Sequence, residues 1–141
     1  MANSFNTQVL RDGDRNYVIR LTGAIDTPAG YATPQVLSDV TTLNPPCLAL
    51  RVDRVKYSLP HGCPLDVQLW WQATTNELFW GMAGGDDNDF WNFGGLTNNA
   101  APGATGNIMW SISGDGTATS TNILTFAVIV ECVKLKVKYP L

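Results

Sequence analysis

Hydrophobic positions along this chain recur mostly at every second residue. The longest such run spans residues 122–134 and reads Asn-Ile-Leu-Thr-Phe-Ala-Val-Ile-Val-Glu-Cys-Val-Lys. Ile123, Ala127, Ile129 and Val133 fall on one alternating face, and Leu124, Phe126, Val128, Val130 and Cys132 fall on the other. The run is rich in β-branched residues and free of Gly and Pro. It predicts a central strand, covered on both sides, around which the remaining chain is organised. Its one internal charge, Glu131, needs a partner if it is buried.

The other elements follow in order. Residues 1–6 are polar and predict a loose or docked terminus. Residues 7–10 predict a short strand, and Asp12-Gly13-Asp14 predicts a hairpin turn built on a positive φ at the glycine. Residues 15–25 alternate, with Tyr17, Ile19, Leu21 and Ile25 against Val18, Arg20 and Thr22. Gly23 inside that strand marks a bulge or a close approach. Residues 27–33 are loop. Residues 35–43 fit both a helical stripe and a strand, and the Thr41-Thr42 pair favours a strand that ends at Asn44-Pro45-Pro46.

Residues 47–59 predict a long strand whose phase slips. Leu48, Leu50 and Val52 share one phase; Val55, Tyr57 and Leu59 share the other. The slip at Asp53-Arg54 predicts a bulge. Residues 60–64 are a turn, and residues 65–71, 77–82 and 107–113 are further strands. Residues 84–106 read as a long irregular loop, rich in Gly, Asn and Asp, with Phe90, Trp91 and Phe93 inside it; loops of this length are commonly functional. A polar turn at 114–121 precedes the central strand. Seven or eight strands with no helix predict an all-β fold, an antiparallel β-sandwich with jelly-roll-like connections.

A length of 141 residues fits one domain, placed at 1–134, followed by a basic extended arm at 135–141. Such a chain buries roughly 65–70% of its unfolded surface and needs no disulfide staple. The net charge of −3 is the wrong sign for a nucleic-acid binder. No run of 18 apolar residues exists to cross a membrane as a helix. Three cysteines, Cys47, Cys63 and Cys132, form no paired framework, and no cationic, apolar, cleavable segment stands at the start; both predict folding in a reducing cytosol.

Candidate chemistry is sparse. The single histidine, His61, lies two residues from Cys63, a spacing that builds no nucleophile–base pair, and reads as an exposed turn residue. Asp86-Asp87-Asn88-Asp89 offers oxygen ligands to calcium but lacks the spacing of a calcium loop, and reads as a solvated turn. Glu77 and Asp86 are carboxylates with nothing to fix a glycosidase separation. These readings predict a protein that is not an enzyme and holds no cofactor or metal. The five tryptophans suit a core or a subunit interface better than a sugar platform. Trp70 and Trp71 must point to opposite faces of a strand, so one packs outside the core. The alternating tail of Leu135, Lys136, Val137, Lys138 and Tyr139 suits either a lysine-protected edge or an arm laid on a neighbour. Interface candidates are therefore Trp70, Trp91, Phe93 and residues 135–139.

Three stretches carry a family resemblance. They are Arg11-Asp-Gly-Asp-Arg-Asn-Tyr-Val-Ile-Arg-Leu-Thr-Gly23, Phe93-Gly-Gly-Leu-Thr-Asn-Asn99 with Gly106-Asn-Ile-Met, and Phe126-Ala-Val-Ile-Val-Glu-Cys-Val-Lys134. Together, over most of residues 7–134, the chain resembles a family of small all-β proteins encoded in tailed-bacteriophage structural gene clusters. The resemblance implies a non-enzymatic virion component, made in the host cytoplasm and placed on the capsid surface as a decoration or cement protein. It implies the major capsid protein as partner and a homo-oligomer, with a trimer favoured. Two alternatives stay open: a head–tail connector or tail component, and a carbohydrate-binding β-sandwich module, which requires Trp91 or Trp70 to be exposed.

Overall fold

The alternating run near the C-terminus forms strand β9 (Leu124–Leu135) of a computed structural model that describes residues 4–25, 33–59, 65–82, 85–100, 102–114 and 124–136. Before it come β1 (Ser4–Asp12), β2 (Asn16–Ile25), β3 (Gln35–Ser38), β4 (Ala49–Ser58), β5 (Leu65–Trp71), β6 (Glu77–Met82), β7 (Gly85–Asp89) and β8 (Ile108–Gly114). Two antiparallel sheets result, ordered β1-β2-β9-β4-β7 and β3-β8-β5-β6. The fold is an all-β antiparallel sandwich, with nine strands among the described residues where seven or eight were expected.

One core joins the layers. Tyr17, Ile19, Leu21, Val52, Val55, Val128 and Val130 from the five-stranded sheet meet Val67, Leu69, Trp71, Ile108 and Ile112 from the four-stranded sheet. The inward residues of each strand sit two apart, as the pleat requires. Trp71 is buried and stacks on Phe79 with ring centroids 4.0 Å apart.

Several sequence expectations are corrected. β9 is central within its sheet, paired with β2 and β4, but only one of its faces is covered for most of its length. Phe126, Val128, Val130 and Cys132 are buried, while Ala127, Ile129 and Glu131 remain half-exposed. A two-layer sandwich covers each sheet on one face, so an apolar run on both faces overstates its burial. Of the N-terminal segment, residues 1–3 lie outside the described residues and residues 4–6 are not loose: β1 begins at Ser4, and Phe5 packs 4.8 Å from Trp110 and 6.2 Å from Phe126, centroid to centroid. Residues 35–43 divide into β3 and a 3-10 turn, Val40–Thr42. The Asp39 side chain accepts from the Thr41 amide at 3.0 Å and the Thr41 hydroxyl at 2.7 Å, and this local capping overrides the β preference of the threonines.

Residues 84–106 are not wholly irregular. β7 lies within them and pairs with β4 as an edge strand. Its Gly-Asp-Asp-Asn-Asp sequence carries no apolar alternation, which hides it from a pattern search. β4 starts at Ala49, leaving Leu48 outside the strand and 52% exposed, where Pro45-Pro46 turns the chain. The β1–β2 hairpin forms as expected, closed by the Gly13 amide on the Asn16 carbonyl at 2.9 Å, but Gly13 does not take a left-handed backbone. Gly23 is a close approach and not a bulge, since the β2–β9 register runs unbroken through it. A Cβ there would lie 2.6 Å from Phe126 Cζ and 2.9 Å from Phe5 Cδ1, so two aromatic rings from neighbouring strands cover the glycine.

Candidate functional site

The phase slip at Asp53-Arg54 is a β-bulge between Val52 and Arg54 in the β4–β9 ladder. It also marks where β4 changes partner on its other edge. From Arg54 onward that edge pairs with β7, while Val52 pairs with Leu96, exchanging hydrogen bonds of 2.9 and 2.7 Å. The Asp53 carbonyl accepts from the Phe90 amide at 2.7 Å. Residues 90–96 are thus fastened to the bulge at both ends.

Three further features hold this loop. Phe90 is buried and meets Trp80 edge-on at 4.8 Å. A 3-10 turn, Trp91–Phe93, ends at Gly94 with φ of 92°. Gly95, with φ of 80°, lies against Arg51 and Asp53; a Cβ on it would come 2.7 Å from Arg51 Cγ. Arg51 in turn grips Asp53 through two hydrogen bonds of 2.7 and 3.1 Å. With Phe90 inside, the neighbouring rings of Trp91 and Phe93 are pushed outward, 63% and 68% exposed.

Trp91 borders an open hollow of about 380 Å³ on the outer face of the five-stranded sheet. Arg11 and Asn16 come from the β1–β2 hairpin, Glu131 from β9, Arg54 from the bulge and Asp89 from β7. Arg54 organises the floor. Its Nε donates to Asp87 at 2.6 Å and lies 3.2 Å from Asp89 and 3.5 Å from Glu131; its Nη2 also donates to Asp87. The Asp87 hydrogen bond raises the Arg54 pKa, and Arg54 holds the Asp87 carboxyl below the usual carboxylate range. Glu131 therefore meets its partner at the surface, not in the core. A guanidinium also stands where a calcium ion held by Asp87 and Asp89 would have to sit, and among the described residues no group of three or more His, Cys, Asp or Glu side chains could hold a metal.

A second hollow, of about 390 Å³, lies at the far end of β9, between Pro45, Cys47 and Leu48 on one side and Lys134, Leu135 and Lys136 on the other. Leu135 is still strand, paired with Ala49, so the sheet runs one residue past the expected boundary at 134. Lys134 is not a solvated edge lysine. It is buried, with Nζ 2.5 Å from Asp12 Oδ1 and 2.9 Å from the Pro45 carbonyl. Burial pushes the Asp12 pKa up, but the Lys134 and Asn44 hydrogen bonds outweigh it and hold the carboxyl low.

The interface candidates separate accordingly. Trp91 and Phe93 are brought together on one turn and face solvent. Trp70 points away from the core, as its neighbour Trp71 requires, but is half-buried, and its Nε1 donates to Ser111 at 2.8 Å. Leu135 is half-buried and Lys136 exposed beside the second hollow. Val137, Lys138 and Tyr139 lie outside the described residues, as do His61, Cys63 and the side chain of Asp86. Burial pushes both Cys47 and Cys132 thiols up, so neither is a ready thiolate. Sequence reasoning did not single out Arg11, Asn16 and Arg54 as a site, and weighed Asp89 only as a calcium ligand, not as a wall of this hollow. The usable signals were the phase slip at Arg54 and the lone charge of Glu131. No protein-family model, curated protein or solved structure matches the chain.

Proposed function

We propose that this chain is a non-enzymatic structural protein of a tailed-phage virion, a decoration or cement protein that binds the major capsid protein across capsomer joints, as a trimer. The observation that carries the reading is the strand order. Set aside β1, and β2-β9-β4-β7 faces β3-β8-β5-β6, two four-stranded sheets exchanging successive strands in the manner of jelly-roll winding, an architecture used in viral shells. Fold alone does not fix function, and the family resemblance of the three sequence stretches supplies the second support.

The end of β9 is the proposed shell-facing region. Leu48 is exposed there beside Leu135 and Lys136, and the basic segment from Lys136 onward continues from it. A stable contact of this kind buries roughly 2,000 Å² or more, more than that hollow alone offers, so the arm and a neighbouring subunit complete it. Added buried area across joints would oppose the pressure of packaged DNA.

The test is quantitative mass spectrometry of purified virions of the encoding phage. Copies in the hundreds, in fixed ratio to the major shell protein, support decoration. A dozen or fewer would replace that reading with a head–tail connector or tail part, and none at all would remove the virion reading. Deletion of residues 137–141, which leaves β9 intact, is expected to lower occupancy on the shell; full occupancy of that variant would overturn the role assigned to the arm.

A further inference from the structure

We infer that the hollow beside Trp91 binds a neutral saccharide, with the Trp91 ring as its stacking platform. Such binding is independent of the virion role. Several features coincide in one place. A tryptophan 63% exposed to solvent stands next to a concave surface of about 380 Å³, within the roughly 300–1,000 Å³ common for small-ligand sites. A sugar ring presents an apolar C–H face and an equatorial belt of hydroxyls. The first needs a flat aromatic surface, the second a mixture of planar donors and acceptors.

The wall supplies that mixture. Arg11 and Asn16 donate; Asp89 and Glu131 accept. Charge selects a neutral ligand. Arg54 already stands against Asp87, Asp89 and Glu131, and Arg51 against Asp53, so most of the local charge is paired within the protein. A strong anion would meet three carboxylates on the floor, and a strong cation would meet Arg11 and Arg54. A polyhydroxylated neutral molecule meets neither penalty, because hydroxyls both donate to the carboxylates and accept from the guanidinium and amide groups.

The site is also held in place before any ligand arrives. Phe90 anchors the turn from inside, Gly95 seats it against Arg51 and Asp53, and the Val52–Leu96 bridge closes it. A platform fixed in this way loses little freedom on binding. Trp70 provides the internal contrast. It also faces outward, but its N–H is taken by Ser111, and it borders none of the hollow's wall.

The experiment titrates the full chain with a panel of neutral gluco-, galacto- and manno-configured di- to tetrasaccharides, and with a sialylated trisaccharide. Calorimetry and tryptophan fluorescence give the readouts. At least one neutral saccharide is expected to bind, blue-shifting the emission and protecting it from acrylamide. Trp91→Ala should weaken that binding by roughly tenfold or more, while Trp91→Phe should retain part of it and lose the emission shift. Trp70→Phe should leave the affinity unchanged. Circular dichroism of each variant guards against misfolding, a small risk at a side chain so exposed. No binding by any neutral sugar up to millimolar concentration would overturn the inference. So would binding that survives Trp91→Ala, or a clear preference for the sialylated ligand.

Discussion

At one end of β9, Lys134 is buried and bonded to Asp12 and to the Pro45 carbonyl. Three residues earlier, on the outer face of the same strand, Glu131 lies half-exposed beside Arg54, which also meets Asp87 and Asp89. Both are clusters of opposite charge on one sheet, but their surroundings differ. The first buries its ammonium, while the Asp12 side chain stays 23% exposed, and it ties three separated segments together: the β1–β2 hairpin, the Pro45 turn and the end of β9. The second lies open, and water and salt screen it. A buried pair tolerates the loss of a partner badly, because the remaining charge has no solvent to turn to. An exposed network tolerates it well, and its value lies in shaping a surface. The difference separates a clamp that serves stability from a floor that serves recognition.

The largest effect should come from the clamp. Asp12→Asn leaves Lys134 buried without its carboxylate and is expected to cost about 3 kcal/mol in chemical denaturation. A loss too small to detect would mean that water reaches Lys134 and that the two clusters are alike. The same residue sets a pH dependence. Its folded pKa lies below the ordinary value of about 3.9, so its contribution is present above that value and is lost as pH falls through the lower, folded pKa. The wild-type stability should therefore fall below about pH 4, and the Asp12→Asn curve should be flatter in that window.

Next in size is Gly95→Ala, at the foot of the open region. A left-handed backbone and overlap with Arg51 and Asp53 act together, and a loss of roughly 2–3 kcal/mol is expected. Because the strain falls on the turn that carries Trp91, amide exchange should rise most in residues 90–96. Uniform loosening of both sheets would show that the loop is not a separate unit fastened to the bulge.

The smallest effect on stability belongs to Arg54→Ala. Its denaturation midpoint should stay close to wild type, and the small difference should shrink as salt is raised. The shape of the hollow should change nonetheless, through release of Asp89 and Glu131. A midpoint that drops as far as that of Asp12→Asn would erase the distinction between clamp and floor.

Much of the fold was legible because alternation is a local property. The inward phases of β2, β5, β8 and β9 stand in the sequence as every second apolar residue, and the bulge at Asp53-Arg54 shows as a slip in that phase. β7 was not legible, because an edge strand with polar residues on both faces has no phase to read. The 3-10 turn at Val40–Thr42 was obscured for another reason: Asp39 competes for the backbone through its own side chain, and threonine suits both outcomes. The sequence permits Trp91 and Phe93 to be exposed but does not require it. Their exposure depends on Phe90 being the one ring of the three that enters the core.

The sequence by itself determined the class of fold, the number of layers and most inward-facing residues, since burial demands period two along each strand wherever a sheet has one dry face. It also determined where β4 must bend. Only the tertiary structure decided which strands are neighbours, and hence which charges meet. Arg54 reaches Asp87 across 33 residues of chain, and Glu131 across a longer stretch, because β7 and β9 flank β4. Lys134 reaches Asp12 because β9 ends where the first hairpin turns. Such pairings follow from sheet order, which depends on how the whole core closes. No local run of residues encodes that closure.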